Sequence, residues 1–175
     1  MDQDALNRLH AEIAQRVTAI RTTHPDWLCA KGCDTCCRQL ADIPQLRAAE
    51  WDLLQVGLAA LPATQRTDIA ARVAALATQP SGPYVCPLLD LESGACPVYA
   101  QRPVACRSYG FYVQRDLGLY CRAIEVKVAE GVLDEVLWGN HDAVDRQLSA
   151  LGESRSLIDW FIAALTTTHT TCEVD

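Results

Sequence analysis

"CAKGCDTCCRQL", residues 29–40, carries Cys29, Cys33, Cys36 and Cys37, two of them adjacent in the chain. Disulfides, a redox dithiol, a metal site and small buried residues that happen to be cysteine all compete to explain such a run. The chain has nine cysteines, an odd number that a disulfide framework leaves incompletely paired. Its opening, "MDQDALNRLHAEIAQRV", is acidic where a secretory signal is basic, and no apolar stretch follows. No run approaches a membrane-spanning length either. The expected compartment is therefore the cytoplasm, where thiols stay reduced. Cys33 and Cys36 form a C-x-x-C pair, but the βαβ pattern around a thioredoxin-like dithiol is missing.

Five further cysteines follow: Cys86, Cys96, Cys106, Cys121 and Cys172. The first four fall in or just after a segment, from Tyr84 to about Tyr120, in which helical periodicity gives way to Pro, Gly, Tyr and Cys. Residues 29–37 and 86–121 thus contribute four thiols each. Four is the ligand number of a tetrahedral zinc site and of a cubane iron–sulfur cluster. Cys33 and Cys36 can converge on one ion from a tight turn, and Gly32 permits the backbone angles such a turn needs. Cys36 and Cys37 cannot easily share an ion, because neighbouring side chains diverge on a helix and oppose on a strand. They are read as serving different ions, or different metals of one cluster. Proline after Cys86 and Cys96 stiffens the chain beside each ligand and leans toward iron–sulfur. Arg102 and Arg107 bracket Cys106 and could hydrogen-bond cofactor sulfur and offset its negative charge. Their other reading is an ordinary salt bridge. Tyr84, Tyr99, Tyr109, Tyr112 and Tyr120 read as packing, and Cys172 as a spare thiol. His10, His24, His141 and His169 are scattered without partner spacing and are not read as ligands.

Around the thiols the pattern is helical. Leu6, Leu9, Ile13, Val17 and Ile20 mark an amphipathic helix over about 4–22, with Asp2 or Asp4 at its start and His24-Pro25 at its end. A second helix is expected in "QLRAAEWDLLQVGLAALPA" and a third in "TQRTDIAARVAALATQ". "PSGP" breaks the chain at 80–83, and "YVCPLLD" and "ACPVY" suggest a small hairpin across "LESG". Helices return over 132–165, with Asn140 as a cap, before a loose tail, "TTTHTTCEVD". The expected fold is mainly α: a single domain, 1–175, whose irregular cysteine-rich centre covers about 29–123. Half the 175 residues are hydrophobic, which is enough for a core. The net charge of −7 and scattered arginines argue against a nucleic-acid partner. Metal ions are the expected partners, with no membrane.

With these residues in hand, the sequence resembles the YkgJ-type cysteine-cluster proteins, a family described as zinc- or iron-chelating and known by a CxxCxxCC signature. The matching pieces are "CAKGCDTCC", "CPLL", "GACPVYAQRPVACRSYGF" and "YCRA", spanning about 29–123. The resemblance carries metal binding onto Cys29, Cys33, Cys36, Cys37, Cys86, Cys96, Cys106 and Cys121. Three residues separate Cys29 from Cys33 where the signature has two. Flagellin lysine methylases, which are larger, carry a similar module with an iron–sulfur centre, but this chain has no nucleotide-cofactor fingerprint. Two functions follow as expectations. One is a metal centre, with an iron–sulfur cluster or iron ranked ahead of zinc, serving redox, group transfer or metal handling. The other is a zinc-stabilised structural or protein-interaction module without catalysis.

Overall fold

The computed structural model describes residues 2–115 and 117–169. Its longest element, α1 (Asp2–Thr23), stops where His24-Pro25 was expected to stop it, and buries Leu6, Leu9, Ile13 and Ile20 along one stripe. After α2 (Thr35–Arg38), a single helical turn, the chain makes β1 (Gln45–Arg47), α3 (Ala48–Ala59) and α4 (Ala63–Ala77). A 3₁₀ turn at Tyr99–Gln101 and α5 (Val104–Ser108) precede a hairpin, β2 (Tyr112–Gln114) and β3 (Leu117–Leu119). The order ends α6 (Arg122–Ala129), β4 (Gly139–Asn140), α7 (His141–Leu148), β5 (Ser154–Ser156) and α8 (Leu157–His169). The fold is mainly α, as expected. No helix among the described residues is long and apolar enough to cross a membrane.

Two apolar clusters carry the packing. In the first, the α1 stripe meets Val104, Phe111, Tyr112, Ile124, Val136 and Val144. Trp27, just past α1, stacks on Phe111 at 5.7 Å between ring centroids and meets Trp138 edge-on at 5.5 Å. In the second, Trp51 and Leu54 of α3 meet Ile69 and Val73 of α4, Leu88, Val98 and Leu157. Trp51 there stacks on Trp160 at 5.9 Å. Helix α3 serves both, since its Ala49 belongs to the first cluster.

Several elements differ from the sequence expectation. The helix predicted from residue 45 begins at Ala48, because Gln45–Arg47 is drawn out into antiparallel pairing with β5, Leu46 opposite Arg155. Arg47 then closes a capping box with Glu50, whose Oε2 accepts from Arg47 N at 2.8 Å. No hairpin forms across "LESG". That stretch is a turn, with Asp90 N donating to Ala95 O and Gly94 N to Asp90 O, both at 2.9 Å. Pro87 and Pro97 flank it without backbone donors, so no ladder can propagate. The hairpin lies instead at 112–119, and β4 adds to it in parallel. Helices α5 and α6 were not anticipated. Asn140 does cap α7, its Oδ1 accepting from Ala143 N at 3.1 Å. Helix α8 continues to His169, four residues into the expected loose tail, and Cys172 lies outside the described residues.

Candidate metal centre

Local structure brings the two cysteine segments together. Arg21, in the last turn of α1, donates from Nη2 to the Cys29 carbonyl. Gly32 has φ +94°, the left-handed angle its turn requires, and Cys33 N closes that turn onto Ala30 O at 3.1 Å. Arg38 of α2 pairs with Asp34 one turn back and reaches Leu91 O at 3.3 Å, tying the first segment to the 90–95 turn. Leu40 and Tyr84 form an antiparallel bridge with two 2.8 Å hydrogen bonds. Beside it, Cys86 N donates to Cys37 O at 2.7 Å. Residues remote in sequence are thus joined backbone to backbone at the cysteines themselves.

Cys106 is placed by a buried carboxylate. Glu50, 3 % exposed, accepts from Arg47 N with one oxygen and from Val104 N with the other, both at 2.8 Å. It ties the start of α3 to the start of α5, one turn of which carries Cys106 and Arg107. Burial raises the Glu50 carboxyl, offset in part by the two amides. Cys121 stands at the head of α6, where its carbonyl accepts from Ile124 N and Glu125 N, each at 3.0 Å.

The thiols divide into two groups by their electrostatic neighbours. Burial and the charges of Cys121, Cys33 and Cys36 push the Cys29 thiol up to about 12. The neighbouring Cys37 thiol raises Cys36, and burial adds to it. Cys36 in turn lowers Cys37, but Cys86 and burial lift it to about 12 overall. Burial also brings Cys106 to about 12, with Cys37 the foremost of its thiol neighbours, and raises Cys96. Cys29 thus has Cys121, Cys33 and Cys36 as neighbours and Cys37 has Cys36, Cys86 and Cys96, while Cys106 feels Cys37, Cys96 and Cys36, so Cys36 adjoins both sets. Packing agrees with this division: Cys29 and Cys121 border the first apolar cluster, Cys86 and Cys96 the second. The centre sits at the seam, and the adjacent pair Cys36-Cys37 straddles it.

None of the eight is in a disulfide. Raised thiols are protonated at neutral pH, and a metal binds them by displacing protons. As the side chains stand, no group of three or more His, Cys, Asp or Glu among the described residues is gathered closely enough to hold an ion. The donor chemistry fits a soft metal all the same: thiol sulfurs suit zinc or iron–sulfur rather than a hard cation.

Two cavities flank the thiols, and Cys33, Cys36 and Cys106 line both, with Tyr99, Arg102 and Tyr109. The larger, about 450 Å³, is walled by apolar residues such as Leu40, Ile43 and Leu88. The other, about 290 Å³, lies against α1. Arg102 folds over its own Tyr99, 3.4 Å from the ring centroid, with Nε on Tyr99 O at 3.0 Å. Arg107 donates from Nε to Arg102 O at 2.7 Å and from Nη2 to Ala100 O. Both arginines lie beside Cys106, as expected, but neither is ion-paired among the described residues. Burial and the nearby charges of Cys36, Cys121 and Cys29 push the Tyr109 hydroxyl up to about 12.

Two residues were not anticipated. His10 and Arg21 both line the smaller cavity from α1. Burial and the charge of Arg107 press the His10 imidazole down to about 4, and its buried Nε2 has no hydrogen-bond partner. The only signal was their spacing, eleven residues and three helical turns apart on one stripe.

A family model, CxxCxxCC, described as "Putative zinc- or iron-chelating domain", matches residues 28–131, more than half the chain. No curated protein and no solved structure matches. The eight clustered thiols lie within the matched residues, and the chain belongs to the CxxCxxCC family of metal-chelating cysteine domains.

Proposed function

We propose that the eight cysteines hold two adjacent four-thiolate metal sites, one from Cys29, Cys33, Cys36 and Cys121, the other from Cys37, Cys86, Cys96 and Cys106. The occupant is iron, as an iron–sulfur cluster or as iron alone, in a reduced compartment, the cytoplasm. The role is redox, group transfer or metal handling. Supporting this reading is the packing of Cys29 and Cys121 against the first apolar cluster and of Cys86 and Cys96 against the second, with Cys37 tied to Cys86 through its carbonyl. Bound there, the metal would supply electron transfer or Lewis acidity, and the chain would orient it and limit water. Seven of the eight thiols line one cavity or the other, and Cys33, Cys36 and Cys106 line both, so the centre is approachable. Arg102 and Arg107 would offset the thiolate charge of Cys106.

The test is metal and sulfide content of protein purified without air, in wild type and in serine variants. Iron with acid-labile sulfide and visible absorption is expected. Cys36→Ser and Cys37→Ser should each remove about half the metal, and the double variant nearly all. Cys29→Ser combined with Cys36→Ser should remove no more than either alone. Complete loss in every single variant would overturn the two-site assignment. Colourless protein with stoichiometric zinc would overturn iron.

One observation favours the second reading, a zinc-stabilised module without chemistry. No residue from 21 to 45 is fully buried, so the first cysteine segment has no core of its own. A structural zinc site contributes about 10–16 kcal/mol, comparable with the 5–15 kcal/mol stability of a whole domain. Zinc alone could fix that segment, and the same metal measurement separates the two readings.

A further inference from the structure

The cavity of about 290 Å³ against α1 holds an unusual balance of charge. Arg21, Arg102 and Arg107 all line it, and no Asp or Glu does. Among the described residues none of the three is ion-paired with a carboxylate. The carboxylate that does act on Arg107, Glu50, is spent on two backbone amides and stands outside the cavity lining. The guanidinium groups are held in place by main-chain carbonyls: Arg21 on Cys29, Arg102 on Tyr99, Arg107 on Arg102 and Ala100. Each keeps donors in hand, because a guanidinium has five N–H groups and these bonds use one or two. The His10 ring joins them with a buried Nε2 that nothing satisfies. Preorganised guanidinium forks, here two half-buried and that of Arg21 exposed, with an added imidazole are the chemistry that recognises carboxylate and phosphate.

We propose that this cavity binds a small oxyanion, a molecule bearing a carboxylate or phosphate group, on Arg21, Arg102, Arg107 and His10, directly against the cysteine centre. Its volume lies at the low end of small-molecule sites, roughly 300–1,000 Å³, so the occupant is a few-carbon acid or a phosphate rather than a nucleotide. Phe111, with Ile13, Ala14 and Val17 of α1, takes the rest of the ligand. Cys29, Cys33, Cys36 and Cys106 complete the wall, which places the anion beside the metal and makes it a substrate or effector of the centre. The site goes beyond the two-site assignment and does not depend on which metal is held.

The experiment is calorimetric titration of the full chain, purified without air, with inorganic phosphate and with citrate as separate probes. Metal content is measured on the same samples. At least one probe should bind saturably at one site per chain; phosphate alone would point to a phosphorylated ligand, citrate alone to a carboxylate. Arg21→Gln and Arg107→Gln should each weaken that binding at least about tenfold, the loss of one charge-assisted contact, and His10→Gln less. Arg66→Gln, on the exposed face of α4, should change nothing. No saturable binding of either probe overturns the proposal, as does binding that the two arginine variants leave intact. If those variants lose metal while the wild type takes neither anion, the guanidinium groups serve the thiolates instead. Anion binding by a chain found to contain no metal would sink the metal reading and leave this site standing.

Discussion

Gly110 is where backbone geometry presses hardest on a cysteine. Its φ is +87°, and a Cβ built there would land on the Cys29 sulfur, with Cys29 Cβ at 3.3 Å and Ile124 Cδ1 at 3.6 Å. Its amide is committed to Leu119 O at 2.6 Å, so the turn cannot easily rotate away. Gly110→Ala therefore incurs two costs. The left-handed backbone costs an L-residue about 1–2 kcal/mol. Forcing a methyl into the packed sulfur costs about 1–3 kcal/mol more. Together these come to about 2–5 kcal/mol, a large share of a domain's 5–15 kcal/mol. Gly131→Ala is the internal control: φ is +73° there, but the nearest atom is a carboxylate oxygen of Asp134 at 3.3 Å, which can swing aside. It should cost only the backbone part, about 1–2 kcal/mol. Urea unfolding of Gly110→Ala, Cys29→Ala and the double variant closes a cycle. Removing the sulfur relieves the overlap, and both variants forfeit the same ligand, so the coupling should be about 1–3 kcal/mol. Metal of the Cys29 group should fall in Gly110→Ala while that of the Cys37 group remains. If Gly110→Ala and Gly131→Ala are equally stable and equally loaded, the placement of Cys29 against this turn is wrong.

Glu50→Ala leaves the Arg47 and Val104 amides without an acceptor, at about 1–3 kcal/mol each, and Glu50→Gln, which keeps one oxygen, should cost roughly half. Equal thermal stability of wild type and Glu50→Ala would remove the carboxylate from its tying role. His10 has a folded value of about 4 against 6.5 unfolded, so between those values the unfolded chain binds more protons. Stability should fall as pH drops from 6.5 toward 4, and His10→Gln should lose less of it; parallel urea midpoints for the two proteins at pH 7 and 5 would refute this. Chelation should speed hydrogen exchange over residues 26–43 before the amides of α1 and α4, because that segment lacks buried side chains. A uniform response along the chain would contradict that local dependence.

Much of the helical scaffold was readable because it rests on periodicity. Leu6, Leu9, Ile13 and Ile20 are buried as their spacing requires, Pro25 follows the end of α1, and Asn140 caps α7. The misses share a physical cause. Gln45–Arg47 is a strand only because β5, distant in sequence, pairs with it, and a three-residue strand has no period to detect. The hairpin turn was sought at "LESG", which has the Gly and Ser of a turn, whereas the real one passes through Arg115 at φ +48°, an angle rare for a side chain like this. The thiols fall within the matched family region, but how they group could not be read from spacing. The packing of Cys29 and Cys121 on one apolar cluster, and of Cys86 and Cys96 on the other, appears only in three dimensions. His10 and Arg21 lie on the same helix stripe as the apolar residues, and only the position of the opposing wall reveals that they face thiols rather than core.

The seam explains why cysteine, rather than leucine, fills this part of the chain. Each apolar cluster is complete without the other's thiols, and each ends in two of its own: Cys29 with Cys121, Cys86 with Cys96. Helix α3 is shared, and beyond it the join runs through Glu50, the Leu40–Tyr84 bridge and the bond from Cys86 N to Cys37 O. A few hydrogen bonds at about 0.5–1.5 kcal/mol each do not lock two clusters into one geometry. The proposed metal–thiolate bonds would, with the thiols shedding protons as the metal binds. Were locking the sole purpose, the sulfurs would be best enclosed by packing on every side. Instead Cys33, Cys36 and Cys106 border cavities on two sides, one apolar and one lined by three guanidinium groups, so the bonds of the proposed centre would fasten the seam and still leave its metal within reach of a ligand.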